Sequence, residues 1–253
     1  MGGMVAAGTV SVTSRQLAFA QQGTPAAVEA MGTPAAVGGA TPGYGLVRVR
    51  KTPTPELNQA IHPHVMHIFL PLIETVPGHF GYVFAFDDAD PTASITVTFL
   101  ADEAAAVASG EAAQEFVDGL DPRFVTETPV SQGGPLRIFE MTGRPASELP
   151  PFLHGCYLTV RQRENAPGAD IEALVAETTN VLTPTLAAME GFVLYAWMQV
   201  ENGRVALNIW ETMEQLEAGN QAVADYVAQN TAQTTTGDPI VNTGMIDYAD
   251  FGH

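Results

Sequence analysis

The chain has 253 residues, 46% of them hydrophobic, and sets 10 basic against 28 acidic side chains for a formal charge of -18. Such a charge repels phosphate backbones and anionic headgroups, so nucleic acid is excluded as a partner. A single cysteine, Cys156, excludes an intrachain disulfide, and no stretch approaches the 18 or more uninterrupted apolar residues of a membrane span.

Residues 4–20 form a mildly apolar run that closes on Ala18-Phe19-Ala20, the small-x-small pattern cut by signal peptidase. They are expected to be the back half of an export signal, which places the protein outside the cytoplasm, extracytoplasmic or secreted. Residues 21–44 contain Gly-Thr-Pro-Ala-Ala-Val twice, at 23–28 and 32–37. They lack the bulky apolar side chains that would offset the entropy of ordering and are expected to be a flexible linker.

Beyond the linker the chain says one thing twice. Pro71, Gly78 and Tyr82 recur as Pro184, Gly191 and Tyr195, always 113 residues on, and the same register brings Arg48 and Arg50 onto Arg161 and Arg163. A period of this length is too long for a solenoid, so each copy, 45–140 and 155–250, is expected to be a small domain joined by a proline-rich linker at 141–154.

In the first copy, 46–50 alternates as a strand does. Thr54-Pro55-Glu56 offers a cap, a first-turn proline and a first-turn acid for a helix whose buried face is Ile61, Val65, Ile68, Phe69, Leu72 and Ile73. Pro63 and Pro71 are expected to bend or break it. Strands follow at 82–86 and 94–99, then a helix at 102–117 and a last strand within 124–139, expected to break near Gly133-Gly134.

The second copy repeats the order. It has a strand at 157–163 and a helix at 169–189 buried through Ile171, Leu174, Val175, Val181, Leu182 and Leu186. Strands at 192–200 and 204–210 flank a turn at 201–203, and a helix at 212–230 sets Gly219 against Gly110. Trp210 can match Phe99 or Thr98 in the first copy. The fold class is α+β: tandem ferredoxin-like βαββαβ repeats, each a four-stranded antiparallel sheet with helices on one face. The bare faces can cover each other, giving a pseudo-dimeric α/β barrel of eight strands with its helices outside. This intrachain pseudo-dimer makes a monomer the simplest assembly.

These residues carry a resemblance. Pro71, Pro77-Gly78 and Gly81-Tyr82, with Pro184, Glu190-Gly191-Phe192, Tyr195 and Trp210-Glu211-Thr212, resemble the antibiotic biosynthesis monooxygenase-like family of dimeric α/β barrels over about residues 46–250. The resemblance implies a barrel fold and, less specifically, a cofactor-independent monooxygenase acting on a phenolic or quinol-type aromatic. Family members often carry a histidine in the second helix. Ser109 and Asn220 stand in the comparable region here, which argues against haem, and no cofactor is expected.

Arg48 and Arg50 share one strand face, as do Arg161 and Arg163. They point either at the helices or into the space between the sheets; the interior is the expectation adopted, where they bind an anionic or phenolate substrate or pair with interior carboxylates. His62 and His67 are the candidate catalytic bases. The second copy has Val175, Glu177 and Asn180 in place of His62, His64 and His67, so Asn180 joins the substrate-binding candidates. Tyr82, Tyr195, Trp197 and Trp210 supply aromatic surface for a small aromatic molecule. His64 and His67 are helical neighbours without a third ligand, so no metal is expected. The alternative to an enzyme is a non-catalytic exported barrel that binds a small apolar or aromatic ligand.

Overall fold

A computed structural model describes residues 41–124, 129–231 and 234–251. The export segment and most of the 21–44 linker lie outside them. Strand β1 (Tyr44–Lys51) leads into α1 (Pro55–His64), where the Thr54 hydroxyl caps the Leu57 amide and Pro55 occupies the first turn. The helix then widens into a π turn at Val65–Phe69 before α2 (Leu70–Glu74). Strands β2 (His79–Asp87) and β3 (Ala93–Leu100), helix α3 (Glu103–Asp118) and strand β4 (Val130–Met141) complete the first repeat. The second repeat comprises β5 (Tyr157–Asn165), α4 (Ile171–Glu177), a π turn at Thr178–Leu182 and α5 (Thr183–Ala187). It continues with β6 (Phe192–Val200), β7 (Gly203–Trp210), α6 (Met213–Tyr226) and β8 (Thr235–Phe251).

The eight strands close into one antiparallel barrel in the order β1-β3-β2-β8-β5-β7-β6-β4. Each repeat contributes the four-strand order of a ferredoxin-like sheet, and the edges left over, β2 with β8 and β4 with β6, form two seams. Closure removes every free edge. Strand β4 does not break at Gly133-Gly134; it runs on and changes partner, pairing with β1 through Pro135 and with β6 from Leu136. At Gly134 a Cβ would sit 1.7 Å from the Gln199 carbonyl oxygen, so only glycine permits the approach. Gly244, at the corresponding point of β8, stands in the same relation to Phe86 of β2.

The interior is apolar and shared. Val47, Val83, Ile95, Val97 and Phe99 from one repeat pack with Leu158, Val160, Val193, Leu207 and Ile209 from the other. Eight strands leave room only for such side chains. Residues of the inter-repeat segment pack against this core, with Leu153 buried among its members.

The π turns correct the expected buried faces. Pro71 and Pro184 have no N–H to offer the carbonyl four residues back, so each helix widens just before its proline; the Leu70 amide bonds Val65 O and the Thr183 amide bonds Thr178 O, five residues apart. The extra residue rotates Ile68 and Val181 outward, where they are 49% and 47% exposed, and brings Leu70 and Thr183 inward. Pro63 sits inside α1 without ending it.

The second helices also take a corrected register. Their caps, Asp102 and Thr212, lie 110 residues apart, and so do the strand ends Leu100 and Trp210. Trp210 therefore matches Leu100 rather than Phe99 or Thr98, and Gly219 matches Ser109 rather than Gly110. Trp210 packs closely on α6: a Cβ at Gly219 would sit 2.3 Å from its ring. No described helix is long and apolar enough to cross a membrane.

Candidate functional site

Alternation along β1 sends Val47 into the barrel core and Arg48 and Arg50 to the opposite, helix-facing side. The interior location expected for the arginines is therefore corrected. The reason is solvation: a barrel packed with aliphatic side chains has no group to replace the water a guanidinium would lose. Beneath the helices Arg48 and Arg50 border a void of about 40 Å³ with Tyr82 and Phe84 from β2 and Ser94 and Thr96 from β3. Ile61, Val65 and Phe69 from the first helix and Phe116 from α3 close it.

The second repeat holds the counterpart. Arg161 and Arg163 from β5, Tyr195 and Trp197 from β6 and Arg204 from β7 face Leu174, Thr178, Leu182, Val223 and Tyr226 from the helices across another void of about 40 Å³. The eleven candidates thus separate. Arg48, Arg50 and Tyr82 come together in one repeat; Arg161, Arg163, Tyr195 and Trp197 come together in the other.

The remaining four lie elsewhere. Asn180 is exposed on the outer surface of the second π turn and borders neither void. Trp210 is buried against Phe192, with ring centroids 5.6 Å apart, and borders neither void. His62 stands behind the first pocket, its ring 5.4 Å from that of Phe84 and its Nε2 on the Asp247 carboxylate. His67 is exposed on a surface groove with His64.

Electrostatics set the two pockets apart from the rest of the molecule. Lys51, Arg123, Arg137 and Arg144 each pair with a carboxylate, on Asp90, Asp121, Glu172 and Glu211. Among the described residues, Arg48, Arg50, Arg161, Arg163 and Arg204 form no ion pair, although the chain has 28 acidic side chains to offer. One Arg50 nitrogen is buried without any hydrogen-bond partner. Burial lowers the basicity of all five guanidiniums, bringing Arg161 and Arg204 down to about 10. Burial likewise raises Tyr82 and Tyr195, so both phenols stay protonated and able to donate, beside the arginines that partly oppose the shift.

Arg204 escaped sequence reasoning. The β6–β7 hairpin is shorter than its counterpart, so the offset falls from 113 to 110 and Arg204 matches Ser94, not an arginine. Its signal was alternation: Arg204, Ala206, Asn208 and Trp210 share a strand face, and Trp210 was already a candidate. Thr178 and Tyr226, whose hydroxyls meet at 3.2 Å, stand where the first repeat has Val65 and Phe116 and are equally invisible in a composition or motif scan.

No family model matches the sequence, and no curated protein matches it. Solved structures do. A protein of Fusobacterium nucleatum provisionally named a monooxygenase superposes with a TM-score of 0.65 at 14% identity, covering 83% of this chain and 95% of its own. One of Lactobacillus acidophilus with the same provisional name gives 0.63 at 12% identity, covering 84% and 97%. An anthrone oxidase-like protein gives 0.59 at 14% identity, covering 83% and 93%. The fold is thus the dimeric α/β barrel of these monooxygenase-like proteins, with both halves in one chain.

Proposed function

We propose that the first-repeat pocket binds a small phenolic or quinol-type aromatic as its anion and that the chain is a cofactor-independent monooxygenase. The observation that carries this reading is the pair Arg48 and Arg50, half-buried beside Tyr82 among aromatic side chains, with no carboxylate of the described residues at ion-pair distance. An unneutralised guanidinium pair in an apolar pocket favours the anion over the neutral phenol and so lowers the substrate's pKa. Neither His62 nor His67 borders the void, so the phenol proton leaves to water as the ligand enters.

The bound anion is itself the reductant of dioxygen. One oxygen atom bonds to a ring carbon and ends as a carbonyl; the other leaves as water with the hydrogen of that carbon and the phenolic proton. All four electrons taken up by dioxygen come from the new carbon–oxygen bonding and the two hydrogens the substrate loses, so no external reductant is consumed. Arg48, Arg50 and the Tyr82 hydroxyl stabilise negative charge on the substrate and on the peroxide that precedes loss of water.

The size of the void bears equally on the second reading, a binding protein without turnover. A void of about 40 Å³ holds roughly three waters, less than an aromatic ring needs, so entry requires the helix face to open. Val65 and Phe69, which must withdraw, sit on the π turn. Oxygen uptake with a panel of hydroquinones and anthrones separates the readings. The monooxygenase reading expects uptake above the uncatalysed rate, reduced about 100-fold or more by Arg48→Gln, the usual cost of losing one charge-stabilising donor. Ligand binding without uptake leaves the binding reading, and neither binding nor uptake overturns both.

A further inference from the structure

The two pockets occupy equivalent places in the two repeats, and the second carries a third guanidinium and two further hydroxyls, with Ala206 in place of the Thr96 hydroxyl. Arg204 replaces Ser94, Thr178 replaces Val65 and Tyr226 replaces Phe116. Three guanidiniums, those of Arg161, Arg163 and Arg204, therefore border one void, and among the described residues no carboxylate lies within ion-pair distance of any of them. Asp238 acts on Arg163 from farther away. Arg204, 5% exposed, donates to the Asn165 side-chain oxygen at 2.7 Å, a neutral partner that leaves its charge uncompensated. The Thr231 hydroxyl borders the same void, buried and without a partner.

From this we infer that the second-repeat pocket is a separate binding site for a small doubly charged oxyanion, a phosphate or sulfate. The void of about 40 Å³ suits it: a tetrahedral oxyanion displaces roughly the two or three waters that such a space holds. Three guanidiniums neutralise two negative charges where a single carboxylate would leave a large surplus, and the Thr and Tyr hydroxyls serve the oxygens that the forks do not reach. The site stands apart from the first-repeat pocket, and its failure would leave the phenol reading untouched.

The chain's two tryptophans, Trp197 and Trp210, both lie in the second repeat, and Trp197 borders this void while no tryptophan borders the first. Tryptophan fluorescence of the full chain therefore senses this pocket through Trp197 and has no probe in the first. At constant ionic strength, sodium sulfate and inorganic phosphate should change the emission saturably and sodium acetate should not. Arg204→Ser, which restores the first-repeat residue, should weaken both oxyanions at least tenfold. If that variant does not fold, Arg163→Gln at the partly exposed edge of the pocket should do the same. Phenyl phosphate distinguishes the sources: tighter binding than inorganic phosphate identifies the phosphate group of a larger molecule, weaker binding the free ion. No saturable change in the wild-type chain, an equal response to acetate, or an unchanged affinity in the folded variant would overturn the inference.

Discussion

Gly134→Ala and Gly244→Ala should each lower the free energy of unfolding by about 3 kcal/mol or more, the upper end of the cost of overpacking. The new methyl would stand 1.7 Å from the Gln199 carbonyl oxygen in one variant and 1.9 Å from that of Phe86 in the other. Both obstacles are backbone in a paired strand, which cannot rotate away as a side chain would. The two glycines mark the points where β4 and β8 leave their own repeat and join the other, so each methyl pries open one seam of the barrel. Gly110→Ala is the contrast. It lies in α3 with nothing within 4 Å of its Cβ position, and it should gain about 0.5–1 kcal/mol from helix propensity. Urea midpoints measure all three. Wild-type stability in both seam variants would mean that the seams do not close as described.

Replacing a pocket arginine by methionine should make the protein more stable while removing its ligand. Arg48→Met and Arg161→Met are each expected to raise stability by about 1–2 kcal/mol, the lower part of the range for exchanging buried charge for apolar volume, because both guanidiniums keep some exposure. The sign follows from their basicity. Arg161 is held down to about 10, below its unfolded value, so the folded state binds its proton less tightly than the unfolded chain. The penalty is fully present below pH 10 and recedes as the pH rises through that value. A higher urea midpoint at an unchanged slope, with oxygen uptake lost in Arg48→Met, would show that these charges are retained for a ligand. A lower midpoint would show that they hold the fold.

The parts of the molecule legible in the sequence were those in which one residue type has one physical use. Thr54 marks a helix start because a hydroxyl there caps a free amide, and that cap stands where expected; Thr212, expected as the start of a helix, also proves to be its cap. The recurrence of Pro71, Gly78 and Tyr82 exposed the duplication, and four strands with one bare face led directly to the barrel. Alternation along β1 divided Val47 from Arg48 but could not give the sign, since a central strand with helices on one side and a second sheet on the other is covered on both faces. Ile68 and Val181 were misplaced because a π turn adds a residue that no 3.6-residue period allows for. Gly133-Gly134 suggested a break because glycine weakens strands; here its missing side chain is what lets the strand continue past Gln199. Arg204 was hidden by three residues lost from a hairpin.

The most direct test of the pocket is the absorbance of bound 4-nitrophenol, whose anion is yellow and whose neutral form is not. At a pH one unit below its free pKa, binding to the wild-type chain should turn the ligand predominantly to the phenolate, and Arg48→Gln with Arg50→Gln should abolish that change. A ligand that binds and remains neutral, or one that ionises equally well on the doubly substituted chain, would contradict the account.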